Sequence, residues 1–216
     1  MNDADREAVY GRNEYYWGTE PNELARRTLE EFSGAETQSA VSDTQWGSET
    51  PTVIDIGAGE GRDAVFFAEN GWTVYAMDVS PNGLAKAERL AERRSVTIET
   101  VEADANDARL PEMVDAVYSA GTVQYIRPEN RERQFRRFQA DTKPGGLHVI
   151  FAFVDHPDVP TPPDWTDNEY FYEPGELAGY YEEWDVLEVE SVIFDDESGG
   201  EPHQHAAEIL FARNRP

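Results

Sequence analysis

Residues 52–80 read TVIDIGAGEGRDAVFFAENGWTVYAMDVS, and this stretch decides the fold. A short apolar run ends with Asp55 and Ile56, three glycines follow at alternate positions, and a helical pattern begins after them. A second apolar run then ends at Asp78. This order of strand, glycine turn, helix and strand is typical of the β-α-β unit that binds nucleotide-like cofactors.

The alternation of strand and helix patterns continues along the chain and predicts a parallel sheet with helices on both faces. Predicted strands cover residues 52–56, 73–78, 96–101, 114–119 and 147–153, with predicted helices at 62–70, 81–94 and from Pro128 onward. Two later segments, WDVLEVESVIF and HAAEILFAR, are joined by a glycine-bearing stretch and predict an antiparallel pair. The sequence therefore predicts an α/β fold, a Rossmann-like doubly wound sheet of seven strands that is mostly parallel, with an antiparallel C-terminal strand.

The chain divides by composition at about residue 50. Residues 1–50 contain an aromatic cluster, a helical pattern after Pro21 and a small, polar stretch at 33–50 that is typical of a surface linker. Residues 51–216 hold all the predicted strands, and a further helix is predicted at 175–183. We expect an N-terminal helical and aromatic lid segment with a linker, followed by one cofactor-binding domain.

The chain is strongly acidic, with 44 Asp and Glu residues against 18 Lys and Arg residues and a formal net charge of −26. Its only lysines are Lys86 and Lys143. Such a charge repels itself at low ionic strength and is screened at high salt, which indicates a halophilic protein. The same field repels phosphates, so neither a nucleic acid nor an anionic membrane is expected as a partner.

The chain contains no cysteine, which excludes disulfides, thiolate nucleophiles and cysteine-ligated zinc. It has no apolar run long enough to span a membrane and no secretory signal pattern. We therefore expect a cytoplasmic protein, either a monomer or a homodimer.

The glycine turn is a poor match to a dinucleotide fingerprint. That fingerprint needs a glycine at position 62, where this chain has Arg62, and it brings a pyrophosphate to the start of the following helix. Three acids crowd the turn, Asp55, Glu60 and Asp63, and they would oppose the phosphate charges. A nicotinamide-dependent dehydrogenase is thus disfavoured, and the absence of a P-loop motif excludes that class of phosphate site.

S-adenosyl-L-methionine fits the same residues better because it carries an ammonium and a sulfonium and no phosphate. Asp55 can compensate the ammonium, Asp78 can accept from both ribose hydroxyls, and Asp104 can accept from the adenine amine. Glycines in the turn let the backbone approach the methionine end closely. The predicted cofactor-binding residues are Asp55, Gly57, Ala58, Gly59, Gly61, Arg62, Asp78, Val79, Asp104, Ala105 and Ser119.

The run from Tyr15 to Arg213 resembles the class I S-adenosylmethionine-dependent methyltransferases, on the quoted turn, the ribose acid and the acid after the third strand. Within that superfamily it is similar to the tellurite-resistance and thiopurine methyltransferase-like subgroup. The matching segments are EYYW, DIGAGEGRDAVFFAENGWTVYAMD, TKPGGLHVIFAF, EPGELAGYYEEWDVLE and EILFAR. Members of the subgroup carry His and Arg before the last strand, whereas this chain has His203 and His205 among carboxylates and no arginine. An anionic acceptor such as tellurite is therefore not favoured.

The acceptor is expected to bind beyond the carboxyl ends of the strands. The predicted substrate-pocket residues are Tyr15, Tyr16, Trp17, Gln124, Tyr125 and Phe153. No catalytic residue is assigned, because methyl transfer to a near-neutral nucleophile needs positioning more than a base. His203 is a candidate proton acceptor, and the pair His203 and His205 lacks an evident third ligand, so no metal site is predicted.

The sequence thus predicts a methyltransferase that uses S-adenosyl-L-methionine and acts on a small molecule. The acceptor can be a thiol, a selenium or tellurium species, or another small metabolite. The alternative is a binding module that senses the cofactor without turnover, which would have a closed or filled acceptor pocket.

Overall fold

The computed structural model describes residues 3–39, 50–163, 165–197 and 200–215. Within these ranges seven strands form one sheet: β1 (Thr52–Ile56), β2 (Thr73–Asp78), β3 (Glu99–Glu102), β4 (Val114–Ala120), β5 (Thr142–Phe153), β6 (Asp185–Asp196) and β7 (His203–Arg213). Their order across the sheet is β3-β2-β1-β4-β5-β7-β6. The first five strands pair in parallel, and β7 runs antiparallel to both β5 and β6. The predicted fold class is confirmed.

Helices cover both faces of this sheet. They are α1 (Asp3–Tyr10), α2 (Glu23–Ser39), α3 (Arg62–Glu69), α4 (Pro81–Arg94), α5 (Pro128–Ala140) and α6 (Glu176–Gly179), with a 3-10 turn at Val123–Tyr125. The start of α4 follows from its sequence, since the Ser80 hydroxyl accepts a hydrogen bond from the backbone N–H of Gly83 and Pro81 occupies the first turn. Every helix in the described ranges is too short or too polar to cross a lipid bilayer.

Two apolar layers hold the sheet between these helices. Successive side chains of β1 point to opposite faces, so Ile54 joins one layer and Val53 the other. The first layer includes Phe135 of α5, and the second includes Phe67 of α3. Because every residue of β1 is buried, the carboxyl end of this strand is held rigidly at the centre of the sheet.

Strand β6 forms one edge of the sheet, and no other strand among the described residues pairs with its outer side. Its exposed large apolar residues are Val186, Leu187, Val189 and Ile193, and carboxylates alternate with them along the strand. Two of those carboxylates, Glu188 and Glu190, pair with Arg27 of α2 at N–O distances of 2.9 Å. The edge is therefore both apolar and densely acidic.

Several predicted boundaries are wrong at the chain's ends and turns. The described part of the predicted 33–50 linker begins with helix, because α2 continues to Ser39, and residues 40–49 lie outside the described ranges. Strand β5 begins at Thr142 and not at the predicted Leu147, so the KPGG segment at 143–146 is part of the strand, with a register shift between β4 and β5. The helix predicted at 175–183 shortens to the four residues of α6.

Candidate active site

A cavity of about 1030 Å³ opens at the carboxyl ends of the parallel strands. It lies at the point where the strand order reverses, between β1 and β4, which is where open α/β sheets bind ligands. The cavity extends from the ends of β2 and β3 to the start of β7. Its lining includes most of the predicted cofactor residues: Asp55, Gly57, Ala58, Gly59, Arg62, Asp78, Val79, Asp104 and Ala105.

The glycine turn that follows β1 forms the floor of this cavity. Gly57 has a φ of 83°, and a Cβ added there would lie 1.8 Å from Oγ1 of Thr122. The backbone N–H groups of Gly57 and Ala58 both donate to the carbonyl of Met77, which ties the turn to the end of β2. The turn is thus held open by contacts that only glycine permits.

Gly61, another predicted cofactor residue, has a packing role in the structure. It is absent from the cavity lining, and a Cβ added there would lie 2.4 Å from Cβ of Ala87. Gly61 therefore allows α3 and α4 to pack closely, and the sequence could not separate this role from cofactor contact.

Asp55 is a buried carboxyl group that lines the cavity. Burial raises its pKa well above the usual range, and the neighbouring carboxyl groups of Asp63 and Asp78 raise it further. The Arg62 guanidinium and a backbone hydrogen bond to Ala64 oppose that rise in pKa. A cation bound beside Asp55 would favour its charged form, so this position is suited to a positively charged ligand group.

Asp78 is fixed by two backbone donors at the end of β2. Its carboxylate oxygens accept from the N–H of Gly59 and from the N–H of Ser80, each at 2.8 Å. Burial raises the pKa of Asp78, while these two hydrogen bonds act to lower it. A carboxylate has about four lone-pair sites, so the group can accept further hydrogen bonds from a ligand.

Asp104 follows β3 and is fixed locally by Asn106. One of its carboxylate oxygens accepts from both the backbone N–H and the side-chain amide of Asn106, each at 2.8 Å. Ala105 and Asn106 are buried beside it and also line the cavity. The structure thus brings the three strand-end acids to one cavity, as the sequence predicts.

The acids of the glycine turn do not all face the cavity as unpaired charges. Glu60 forms a buried ion pair with Lys86, whose Nζ lies 2.5 Å from Oε1, and its other oxygen accepts from the N–H of Trp17 at 3.1 Å. Asp63 accepts from the backbone and side chain of Asn22 and from the Tyr118 hydroxyl. Glu60 and Asp63 therefore have structural partners, and Asp55 is the acid of this turn that most directly opposes a bound pyrophosphate.

The N-terminal segment covers the end of the cavity that the glycine turn forms. Tyr16 and Trp17 line it, and the Trp17 indole N–H donates to the Tyr10 hydroxyl at 2.9 Å. Helix α1 adds Arg6 to the lining as well. The sequence gives little sign of α1, because the helix is only eight residues long and mostly polar.

Two further predicted residues, Tyr15 and Ser119, lie outside the cavity lining. Tyr15 donates from its hydroxyl to the carbonyl of Lys86 and packs with its ring against Lys86 and Arg93. Ser119 is fully buried and donates to the carbonyl of Ile56. Both side chains hold elements together, and the contacts of Tyr15 with an acceptor and of Ser119 with a cofactor stay predictions.

The far end of the cavity has an aromatic wall at β5 and β7. Phe153 contacts the ring of Trp165 edge-on, with centroids 5.6 Å apart, and Trp165 stacks on Phe171. Gln124 donates to the carbonyl of Gly121. Its side-chain oxygen is buried and has no hydrogen-bond partner among the described residues.

The predicted pocket residue Tyr125 is held on two sides. Its hydroxyl donates to Glu169 at 2.7 Å, and the Arg6 guanidinium lies over its ring. Burial raises the pKa of Tyr125, so the phenol stays protonated in the physiological range.

Of the two predicted histidines, the structure places His205 in the cavity lining and His203 beside it. The sequence showed no third ligand for a metal because the connection between β6 and β7 hides the register. In the structure Asp196 pairs across the hairpin with His203 and approaches His205.

Comparisons with known proteins agree with this geometry. A family model described as the tellurite resistance protein TehB matches residues 29–206, which is more than half of the chain. The chain is 28% identical over 152 residues to a Haemophilus influenzae protein named probable S-adenosyl-L-methionine-dependent methyltransferase TehB. That match covers 70% of this chain and 50% of the relative, so the chain spans about half the length of the curated relatives it matches.

Solved structures share the fold. The crystal structure of TehB from Haemophilus influenzae has a TM-score of 0.69 at 22% identity, with 85% of this chain and 62% of that chain covered. The N-methyltransferase NodS from Bradyrhizobium japonicum, solved with S-adenosyl-L-homocysteine, has a TM-score of 0.64 at 15% identity over 99% and 98% of the two chains. At these identities the likeness establishes the fold alone.

Proposed function

Because this chain belongs to the TehB family, a subgroup of the class I S-adenosyl-L-methionine-dependent methyltransferases, we propose that it transfers a methyl group from S-adenosyl-L-methionine to a small-molecule acceptor. The observation that carries the proposal is one cavity with two chemically different ends. Three strand-end acids and the glycine turn form one end, and the aromatic wall at Phe153 and Trp165 forms the other. The cavity is not filled by side chains at the aromatic end, which favours an enzyme over a sensor module.

The residues of the first end fit this cofactor by charge. Asp55 is buried beside two other carboxyl groups, and a ligand ammonium would offset both the burial and the repulsion that raise its pKa. Asp78 presents free acceptor directions to a ribose diol, and Asp104 presents a carboxylate to the adenine amine. Gly57, Ala58, Gly59, Arg62, Val79 and Ala105 complete the proposed cofactor site.

The cofactor would supply a methyl group that its sulfonium already activates, so the residues of this chain need not provide a strong base. Their proposed tasks are to orient the two ligands in line and to keep water out. Tyr16 and Trp17 would close over the cofactor end as a lid, while Gln124, Tyr125 and Phe153 would contact the acceptor. The buried oxygen of Gln124 offers the acceptor a hydrogen-bond partner at this position.

The acceptor class within this proposal is a thiol, a selenium or tellurium species, or a small metabolite. We also propose that residues 1–50 act as the lid and linker and residues 51–216 as the methyltransferase domain. The high negative charge supports a halophilic, cytoplasmic protein that binds no nucleic acid, as a monomer or a homodimer.

Titration of the chain with S-adenosyl-L-homocysteine tests the proposed cofactor site. We expect saturable binding that weakens by about 10-fold or more in Asp78→Asn, since a hydrogen bond to a charged group contributes about 1.5–3 kcal/mol. Asp107→Asn is the matched control, because it removes the same charge from an exposed residue outside the cavity lining. Absence of binding to the unmodified chain, or equal weakening in both variants, would contradict the proposal.

Melting in a KCl series tests the halophilic assignment. We expect the melting temperature to rise from low to molar KCl, because salt screens the repulsion within a chain of net charge −26. Differential scanning calorimetry at matched pH measures this, with sucrose as a non-ionic control. A melting temperature that does not change with KCl would rule the assignment out.

A further inference from the structure

Three potential metal ligands converge on one face of the β6–β7 hairpin. The register pairs Asp196 with His203 and Phe194 with His205. Residues two apart in a strand share a face, so Asp196, His203 and His205 project to the same side. Asp196 and His205 line the acceptor end of the cavity, and the ring of His205 packs against Phe153.

Distances between the donor atoms match a metal site. Nε2 of His203 lies 3.0 Å from Nε2 of His205, and Oδ2 of Asp196 lies 3.4 Å from the latter and 3.9 Å from the former. Ligands that hold an ion at about 2.0–2.2 Å lie about 3.0–3.6 Å apart at ordinary coordination angles. Two of the three separations fall in this range, and the third, 3.9 Å between Asp196 and His203, lies just above it.

The tautomer of His203 is also that of a metal ligand. Its Nδ1 lies 2.7 Å from the backbone carbonyl of Glu201, which can only accept, so Nδ1 carries the proton. The lone pair is therefore on Nε2, which points toward His205 and Asp196. Metal-binding histidines are commonly oriented by such a hydrogen bond from the other ring nitrogen.

We propose that Asp196, His203 and His205 form a binding site for a divalent transition-metal ion such as Zn²⁺. Two imidazoles and one carboxylate suit such ions, whereas Mg²⁺ prefers ligand sets made of oxygen. Three protein ligands leave coordination positions open toward the cavity.

The ion would change the charge of the acceptor end. The described residues lining that end include the carboxylates of Asp195 and Glu169, with the Arg6 guanidinium over the ring of Tyr125. A bound divalent cation would add positive charge beside these carboxylates and offer a coordination position to a thiolate or another anionic acceptor. This role rests on the proposed function, whereas metal binding itself does not.

Calorimetric titration of the full chain with ZnCl₂ alone, in a KCl buffer, tests the site. We expect one Zn²⁺ per chain, with an affinity that falls by at least about 100-fold in Asp196→Asn, His203→Gln and His205→Gln. Loss of a group that only supports a metal ligand costs up to about 100-fold, and loss of a ligand itself should cost at least as much. Asp195→Asn and His156→Gln are the matched controls and should bind Zn²⁺ like the unmodified chain. MgCl₂ tests general attraction to acidic groups, and a Co²⁺ absorption spectrum reports imidazole coordination.

Circular dichroism checks that each variant is folded. If a histidine variant does not fold, Asp196→Asn provides the test, because Asp196 is the most exposed of the three ligands. Failure of Zn²⁺ to bind, equal binding of Mg²⁺, or equal weakening in Asp195→Asn would overturn the site. Titration of the same samples with S-adenosyl-L-homocysteine separates the two proposals. Zn²⁺ binding without binding of that ligand would support the metal site while contradicting the methyltransferase proposal.

Discussion

Replacing Lys86 by methionine is expected to lower the free energy of unfolding by about 3–5 kcal/mol, because it leaves the Glu60 carboxylate buried without its cation. Both side chains of this pair are 1% exposed. Lys86 also donates to the carbonyl of Glu14 and lies near the ring of Tyr15. The same substitution should therefore loosen the segment that carries Tyr16 and Trp17 over the cavity.

Urea unfolding at constant KCl measures this effect. Arg136→Met is the matched control, because it removes the same charge from an exposed pair with Glu132 that contributes about 0.3–0.5 kcal/mol. Adding Glu60→Gln to Lys86→Met should restore much of the lost stability, since the buried charge is removed. Equal losses for Lys86→Met and Arg136→Met would show that the buried pair has no special role.

Replacing Gly57 by alanine is expected to cost about 2–5 kcal/mol of stability and to abolish binding of S-adenosyl-L-homocysteine. A left-handed backbone costs a non-glycine residue about 1–2 kcal/mol, and overpacking adds about 1–3 kcal/mol. The added methyl would overlap the Thr122 side chain, so the turn or the residues after β4 must move.

Gly71→Ala separates these two costs. Gly71 has a φ of 85°, nearly the same as Gly57, but a Cβ there would meet no atom within 4 Å. It should therefore show only the backbone cost and leave ligand binding unchanged. Thr122→Gly in the Gly57→Ala background should recover part of the steric cost. If the two alanine variants lose equal stability and both bind the ligand, contact with Thr122 does not shape the turn.

The fold was predictable because its signals are local. The apolar runs of β1 and β2, the glycines between them and the Ser80 cap each specify their own element from neighbouring residues. The predicted element boundaries were wrong where contacts between residues distant in sequence determine where an element begins or ends. The predicted start of β5 is Leu147, but pairing between Val114 of β4 and Thr142 includes the KPGG segment at 143–146 in the strand.

The candidate site was predictable in its acids and not in their partners. Strand ends fixed the positions of Asp55, Asp78 and Asp104, since parallel strands end at the same edge of the sheet. That Lys86 neutralises Glu60 depends on the packing of α4 against the glycine turn, 26 residues apart in sequence. The contact of Asp196 with His205 depends likewise on the register of a long hairpin.

High ionic strength has two opposite effects on this protein, and the edge strand β6 is the reason: salt screens repulsion within the chain, and it also screens repulsion between copies of this edge. An unpaired edge strand is a template for pairing with another copy, and like charges along it oppose such self-association. The carboxylates of β6 provide that repulsion. At molar salt, screening limits the repulsion to a range of about 3 Å. The salt that screens repulsion within the chain therefore also screens the repulsion that opposes pairing between two copies of this edge.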